Sequence, residues 1–125
     1  MRAVIIDTDI LIDFLRGSEK AKHFLLSIIN DFDVCCSAIT VAEIYAGMRD
    51  HEQDKTESLI DSLIILDVTR EIAEKAGRYK RALKGYNLEL DDCFIAATAS
   101  INNAFLATGN ERHYPMKDIK KIRVY

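Results

Sequence analysis

A single proline and five glycines among 125 residues leave no room for a flexible linker or a low-complexity tail. No stretch reaches the ~18 to 20 apolar residues that a membrane span needs. The first apolar run has only Arg2 before it and is interrupted at once by Asp7, Asp9 and Asp13, so it reads neither as a span nor as a signal peptide. Cysteine is scarce and odd in number: Cys35, Cys36 and Cys93, with no C-x-x-C pair. In a signal-free chain that set reads as buried reduced thiols, not as zinc ligands or a disulfide framework. Adjacent Cys35 and Cys36 would point to opposite faces of a strand. Positive charge is not in excess either. Seventeen Lys+Arg meet 20 Asp+Glu for a net charge of -3, so nucleic acid would need a local basic patch or a bound metal. What is present is a globular composition, 49% hydrophobic and 30% charged, at a length that supports one core. The expectation is a single cytoplasmic domain over residues 1–125.

Apolar patterning predicts strands alternating with helices. Residues 3–6 are short, β-branched and unalternated, as in a strand covered on both faces. Helical spacing follows over 8–15, ended by Gly17, and over 19–30, with Ser18 as N-cap and a stripe of Phe24, Leu25, Ile28 and Ile29. Further strands are expected at 33–38, 63–68 and 104–108, with a short edge strand at 121–125. Further helices are expected at 40–48, 54–62, 70–84 and 91–102. The 70–84 helix is capped by Thr69, stopped by Gly85, and buries Ile72, Ala76, Tyr79 and Leu83. That alternation argues for an α/β fold with a parallel sheet and helices on both faces.

In such a sheet the strand ends and the starts of the following helices share one edge, where ligands bind. Asp7 follows the first strand, and Glu43 falls in the first turn after the second. Asp91 and Asp92 open a helix, and Asn110 and Glu111 follow the 104–108 strand. Clustered carboxylates raise one another's pKa unless a cation neutralises them. Hard oxygen ligands without a neighbouring His or Cys suit Mg²⁺ or Mn²⁺ better than zinc. Each residue also has an ordinary explanation. Asp91 and Asp92 fit a helix cap, and Thr40-Val41-Ala42-Glu43 fits a capping box. Asn110 and Glu111 fit a turn, and Asp9 and Asp13 fit the outward face of the first helix. Asp7 resists such a reading, because Thr8 and Asp9 are available to cap the helix after it. His23, His51 and His113 read as surface residues and Cys93 as a buried thiol. Arg78, Lys80, Arg81 and Lys84 form a basic side that is either a solvated face or a set of phosphate contacts.

Four blocks, VIIDTDILIDFL, ITVAEIYAGM, LELDDCFIAATA and FLATGNERHY, come in the order and at the spacing of the PIN-domain family. Within it the chain resembles the VapC-type toxins over nearly its whole length, from Ala3 to Tyr114. The resemblance implies a three-layer α/β/α fold with a central, mainly parallel sheet, and a metal-dependent ribonuclease acting on single-stranded RNA. Carried over, the family's acids fall on Asp7, Glu43 and Asp92. Asp7 and Asp92 would hold Mg²⁺ or Mn²⁺, with Glu43 binding it directly or through water. At the fourth position, often acidic in the family, this chain has Asn110, with His113 three residues on, which bears on a second metal ion but not on the first. Thr108 would add a hydroxyl contact, and Arg78, Arg81 and Arg112 would hold the RNA backbone. An antitoxin of the VapB type that occludes the site and a homodimer are also implied.

Other readings compete. Asp7-Thr8-Asp9 resembles the start of haloacid-dehalogenase-like phosphatases, but Leu11 falls where those enzymes usually have Thr or Val. A receiver domain would place its acceptor at Asp67. A catalytically silent PIN domain that only binds RNA or a protein is kept open by Asn110.

Overall fold

A computed structural model describes all residues, 1–125. Five strands, β1 (Arg2–Ile6), β2 (Phe32–Ser37), β3 (Ile64–Leu66), β4 (Phe105–Thr108) and β5 (Lys120–Arg123), form one sheet. Its order is β3-β2-β1-β4-β5 and every pairing is parallel. Six helices surround it: α1 (Thr8–Leu15), α2 (Glu19–Ile28), α3 (Ala38–Gly47), α4 (Gln53–Asp61), α5 (Arg70–Ala82) and α6 (Leu90–Ile101).

The pleat sorts the strands' side chains between two cores. Val4, Ile6, Cys36 and Ala107 face α1 to α4, packing with Ile10, Leu11, Leu25 and Ile44. Ile5, Cys35 and Leu106 face α5 and α6, packing with Ile72, Ala76, Ile95 and Ala96. All three cysteines are free and buried, and Cys35 and Cys36 do lie in opposite cores. Burial pushes the Cys36 thiol up to about 12. No helix is long and apolar enough to cross a membrane. The three-layer α/β/α architecture is as expected.

Local details differ. The second helix stops at Ile28, and Asp31 closes a turn onto the Ile28 carbonyl at 3.1 Å. The third helix begins at Ala38 and is capped by Ser37, whose hydroxyl accepts from the Ile39 amide at 3.1 Å. Thr40 therefore lies inside that helix, the Thr40–Glu43 capping box does not form, and Glu43 sits in the second turn. The long helix ends at Ala82, and Gly85 lies within a 3₁₀ turn (Lys84–Tyr86). The left-handed residue that ends this region is Asn87 (φ 51), a residue type that tolerates such a backbone. Gly17 does end α1, at φ 87. Thr69 and Ser18 cap as their positions suggest, accepting from the Ile72 and Ala21 amides.

Candidate active site

The sheet's topology makes the opening. From β1 the chain turns to α1 on one face. From the adjacent β4 it turns to the other, where Tyr114, Met116 and Ile119 join the α5–α6 core. A crevice forms at the carboxyl ends of strands whose connections diverge in this way.

Asp7 stands at its base, only 5% exposed. It is itself the N-cap of α1, displacing Thr8 and Asp9 from that role: its Oδ1 accepts from the Thr8 amide at 2.8 Å. The same oxygen accepts from the Tyr114 hydroxyl at 3.0 Å, and Oδ2 accepts from the Thr108 hydroxyl at 2.9 Å. Asp92, the third residue of α6, accepts from Tyr114 at 3.3 Å and faces His113 Nδ1 at 3.4 Å. Neither it nor Asp91 caps α6, whose N-cap, Glu89, makes no side-chain cap bond. Glu43 arrives from α3 and is fixed by hydroxyls. Thr8 donates to Glu43 Oε1 at 2.7 Å, which leaves Thr40 to donate to Thr8 at 2.9 Å.

Asp7, Glu43 and Asp92 share a cleft of about 240 Å³ with Thr8, Asp9, Glu89, Asp91 and His113. No apolar side chain, lysine or arginine lines it. Burial and the unpartnered negative charge together hold the carboxyls of the cleft above their usual range. Burial pushes Asp7 up despite its three hydrogen bonds. Burial and the charge on Asp7 push Asp92 up to about 6. Burial, with Asp91 and Asp92 nearby, raises Glu43. Burial and the two aspartates drive the Tyr114 phenol up, so it remains a protonated donor. The donors are hard oxygens in excess negative charge, which fits a hard divalent cation. No three acidic or imidazole groups converge on one point at coordinating distance.

Of the residues singled out in the sequence, Asp7, Glu43, Asp92 and Thr108 meet here. Asn110 does not line the cleft. Its amide N–H donates to the Thr108 hydroxyl at 3.0 Å and its Nδ2 lies 3.0 Å from His113 Nε2. With Nδ2 donating there, the imidazole proton sits on Nδ1, towards Asp92. Arg78, Arg81 and Arg112 are all exposed and none lines the acidic cleft. Several site residues go beyond the sequence reading, Glu89 among them. His113, read as a surface residue, is half-exposed but lines the cleft. Tyr114, fully buried, joins the two aspartates. The signal for it was an aromatic residue in an otherwise polar segment beside the only proline. Asp9 also lines the cleft, while Asp13 accepts from the Tyr125 hydroxyl at 2.6 Å.

The model of the PIN domain family matches residues 4–120. The chain belongs to the PIN-domain family. Mycobacterium tuberculosis ribonuclease VapC10 is 36% identical to this PIN domain over 117 residues, covering 90% of this chain and 86% of the relative. Methanocaldococcus jannaschii ribonuclease VapC1 is 27% identical over 125 residues, covering 98% and 86%. Among solved structures, a DNA-bound VapBC from Salmonella typhimurium covers all of both chains at a TM-score of 0.85 and 22% identity. A toxin–antitoxin complex from Klebsiella pneumoniae covers 98% of each at a TM-score of 0.80 and 25% identity. Membership removes the phosphatase and receiver readings. Asp67, the receiver candidate, is exposed beyond β3 and does not line the cleft.

Proposed function

We propose that this PIN domain is a divalent-metal-dependent endoribonuclease that cuts single-stranded RNA, the toxin of a VapBC-type pair. One observation carries the chemistry: Asp7, Glu43 and Asp92 come from three separate elements into one cleft that holds no lysine or arginine. Its 36% identity to ribonucleases named VapC10 and VapC19 supports RNA as the substrate.

Asp7 and Asp92 would hold Mg²⁺ or Mn²⁺, with Glu43 alongside. Bound there, the ion supplies a lowered pKa for the attacking water and neutralises charge on the phosphoryl oxygens. The protein's share is to fix the ligands. Thr108 and the Thr8 amide hold the Asp7 carboxylate, Tyr114 sets its spacing from Asp92, and the Thr40–Thr8 hydroxyl pair aims Glu43. Asn110 is a positioning residue that acts through Thr108 and His113.

For partners we propose an antitoxin of the VapB type and a second copy of the chain. Leu26, Ile29 and Ile64, each about half exposed, line an apolar groove with Phe32 and Leu63, a surface suited to a protein partner.

The test is cleavage of labelled single-stranded RNAs by the purified, antitoxin-free chain with Mg²⁺ or Mn²⁺. Cutting that EDTA stops and Asp7→Ala abolishes is the expected result. A folded, metal-loaded chain that cuts none of them would overturn the enzyme in favour of the silent binding module. Cutting that survives Asp7→Ala would place the chemistry elsewhere.

A further inference from the structure

The segment 87–92 is a wall between two clefts. Glu89, Asp91 and Asp92 face the acidic cleft, whereas Asn87, Leu88 and Leu90 line a second one of about 380 Å³ against α5. The opposite side of this second cleft is Gly77, Lys80 and Arg81 on one face of α5, at i, i+3 and i+4, joined by Lys84 from the 3₁₀ turn that follows. No carboxylate lines it, and none of its three cations takes part in an ion pair. In a chain of net charge -3, Arg81 and Lys84 are conspicuous for having no internal ion pair or side-chain hydrogen bond. Lys80 alone has a structural task, donating to the Leu88 carbonyl and so tying the shared wall to α5.

Gly77 supplies an independent observation. It sits in the interior of α5, exposed, where glycine weakens a helix relative to alanine. A Cβ there would meet nothing within 4 Å, so no neighbour in the fold requires the bareness. A chain lying across the cleft would.

We propose that this basic cleft binds the phosphate backbone of the single-stranded RNA on one side of the bond being cut. The inference rests on the ribonuclease reading and gives it a direction. The acidic cleft repels phosphates apart from the one that a cation neutralises, so the strand needs positive charge immediately beside it. Arg81 offers the forked donor geometry that suits a phosphate, and Lys84 a mobile point charge. Leu90, 46% exposed between them and the acidic cleft, offers apolar surface to a sugar or base.

The test measures equilibrium binding of a short, unstructured, fluorescein-labelled RNA in EDTA, across a salt series. The variants are Arg81→Gln/Lys84→Gln and, as a control of equal charge change on the opposite layer, Lys20→Gln/Lys55→Gln on α2 and α4. Losing two phosphate contacts should flatten the slope of log affinity against log salt by about 1.4 and weaken binding about tenfold at low salt. The control should leave the slope unchanged. Gly77→Leu should raise the melting temperature by a few degrees, since leucine is the better helix former, while weakening binding severalfold. A purely structural glycine would not move the two in opposite directions. Equal slopes in the two double variants, or wild-type binding by Gly77→Leu, would overturn the proposal, as would no measurable binding by the wild type. Wild-type cleavage with Mg²⁺, run in parallel, separates the failures: cutting with an unaltered slope sinks the groove and leaves the nuclease standing. An acidic peptide that competes without any RNA slope change would assign the cleft to a protein partner instead.

Discussion

Tyr79 and Tyr114 both donate a hydroxyl to aspartate, and the carboxyls they serve respond in opposite directions. Tyr79 donates to Asp118 Oδ1 at 2.7 Å, Ser100 donates to Oδ2 at 3.2 Å, and Lys75 Nζ lies 2.8 Å from Oδ2. Partial burial works against the Asp118 charge, yet the lysine and the tyrosine hold its carboxyl below the usual range. Tyr114 donates to Asp7 and Asp92 together, and both titrate above it. The difference is the cation. Asp118 has its counter-charge inside the chain, so it finishes a structural contact between α5, α6 and the loop before β5. The Asp7–Asp92 pair has only an imidazole at 3.4 Å, so its negative charge is left for something outside the chain.

The comparison is sharpened most by pH. For Asp7, Glu43 and Asp92 the folded pKa lies above the unfolded one, so between the two values the native state binds more protons than the unfolded state. Stability contributed by the cleft therefore falls as pH rises, with the Asp92 share lost as pH passes about 6. The metal-free protein should be less stable near pH 8 than near pH 5 by about 1 kcal/mol from Asp92, with Asp7 and Glu43 acting in the same direction. Denaturant unfolding curves at the two pH values would show it. Asp92→Asn should shrink the difference, and Mg²⁺ or Mn²⁺ at the higher pH should restore the loss by binding the native state. Asp118 contributes with the opposite sign, losing its stabilisation only as pH falls through its lowered pKa. Metal-free stability that rises steadily towards pH 8 would mean that the cleft carries no uncompensated charge.

Tyr114→Phe tests the hydroxyl that the two aspartates share. The ring is fully buried, so its packing should persist while Asp7 loses one of three donors and Asp92 its link to Asp7. A loss of about 1–2 kcal/mol is expected, together with about a tenfold fall in RNA cleavage. Single-turnover cleavage at saturating metal is the discriminating readout, because a residue that only packs would cost stability without slowing the reaction.

That tyrosine also marks where the sequence stopped being informative. The sheet could be read from unalternated runs such as Val4-Ile5-Ile6, which mark strands covered on both faces. The convergence of Asp7, Glu43 and Asp92 followed from the rule that parallel strands end on one edge. The cap roles differ from the local pattern for a physical reason. Ser37, Thr40, Asp7 and Thr8 all have side chains able to cap, and local pattern does not say which backbone amides go unsatisfied. Tertiary packing decides it, placing Thr40 against Thr8 so that both hydroxyls serve Glu43. Tyr114 and His113 come from an irregular segment with no periodicity to place them. Their contacts with Asp92 span 22 and 21 positions and exist only once β4 lies against β1. Arg81 was legible as a basic residue, but the basic cleft was not: it joins Lys80 and Arg81 of α5 to Lys84 of the following turn and leaves out Arg78, and only the folded chain shows that grouping.

The smallest effect is expected at the other tyrosine. Lys75→Met removes the cation beside Asp118 but leaves the Tyr79 and Ser100 donors in place. The Asp118 side chain is 48% exposed, so water takes over much of what the lysine did, and the loss should stay within about 1 kcal/mol. It should shrink further in high salt, which already screens the pair. Unfolding curves of the variant at low and high salt give both numbers. The same curves near pH 8 should show the deficit of the acidic cleft unchanged, because Lys75 and Asp118 share no hydrogen-bond partner with Asp7 or Asp92. If Lys75→Met instead altered that deficit, the two aspartate sites would be coupled through α6, and the charge in the cleft would have been partly balanced from within the fold.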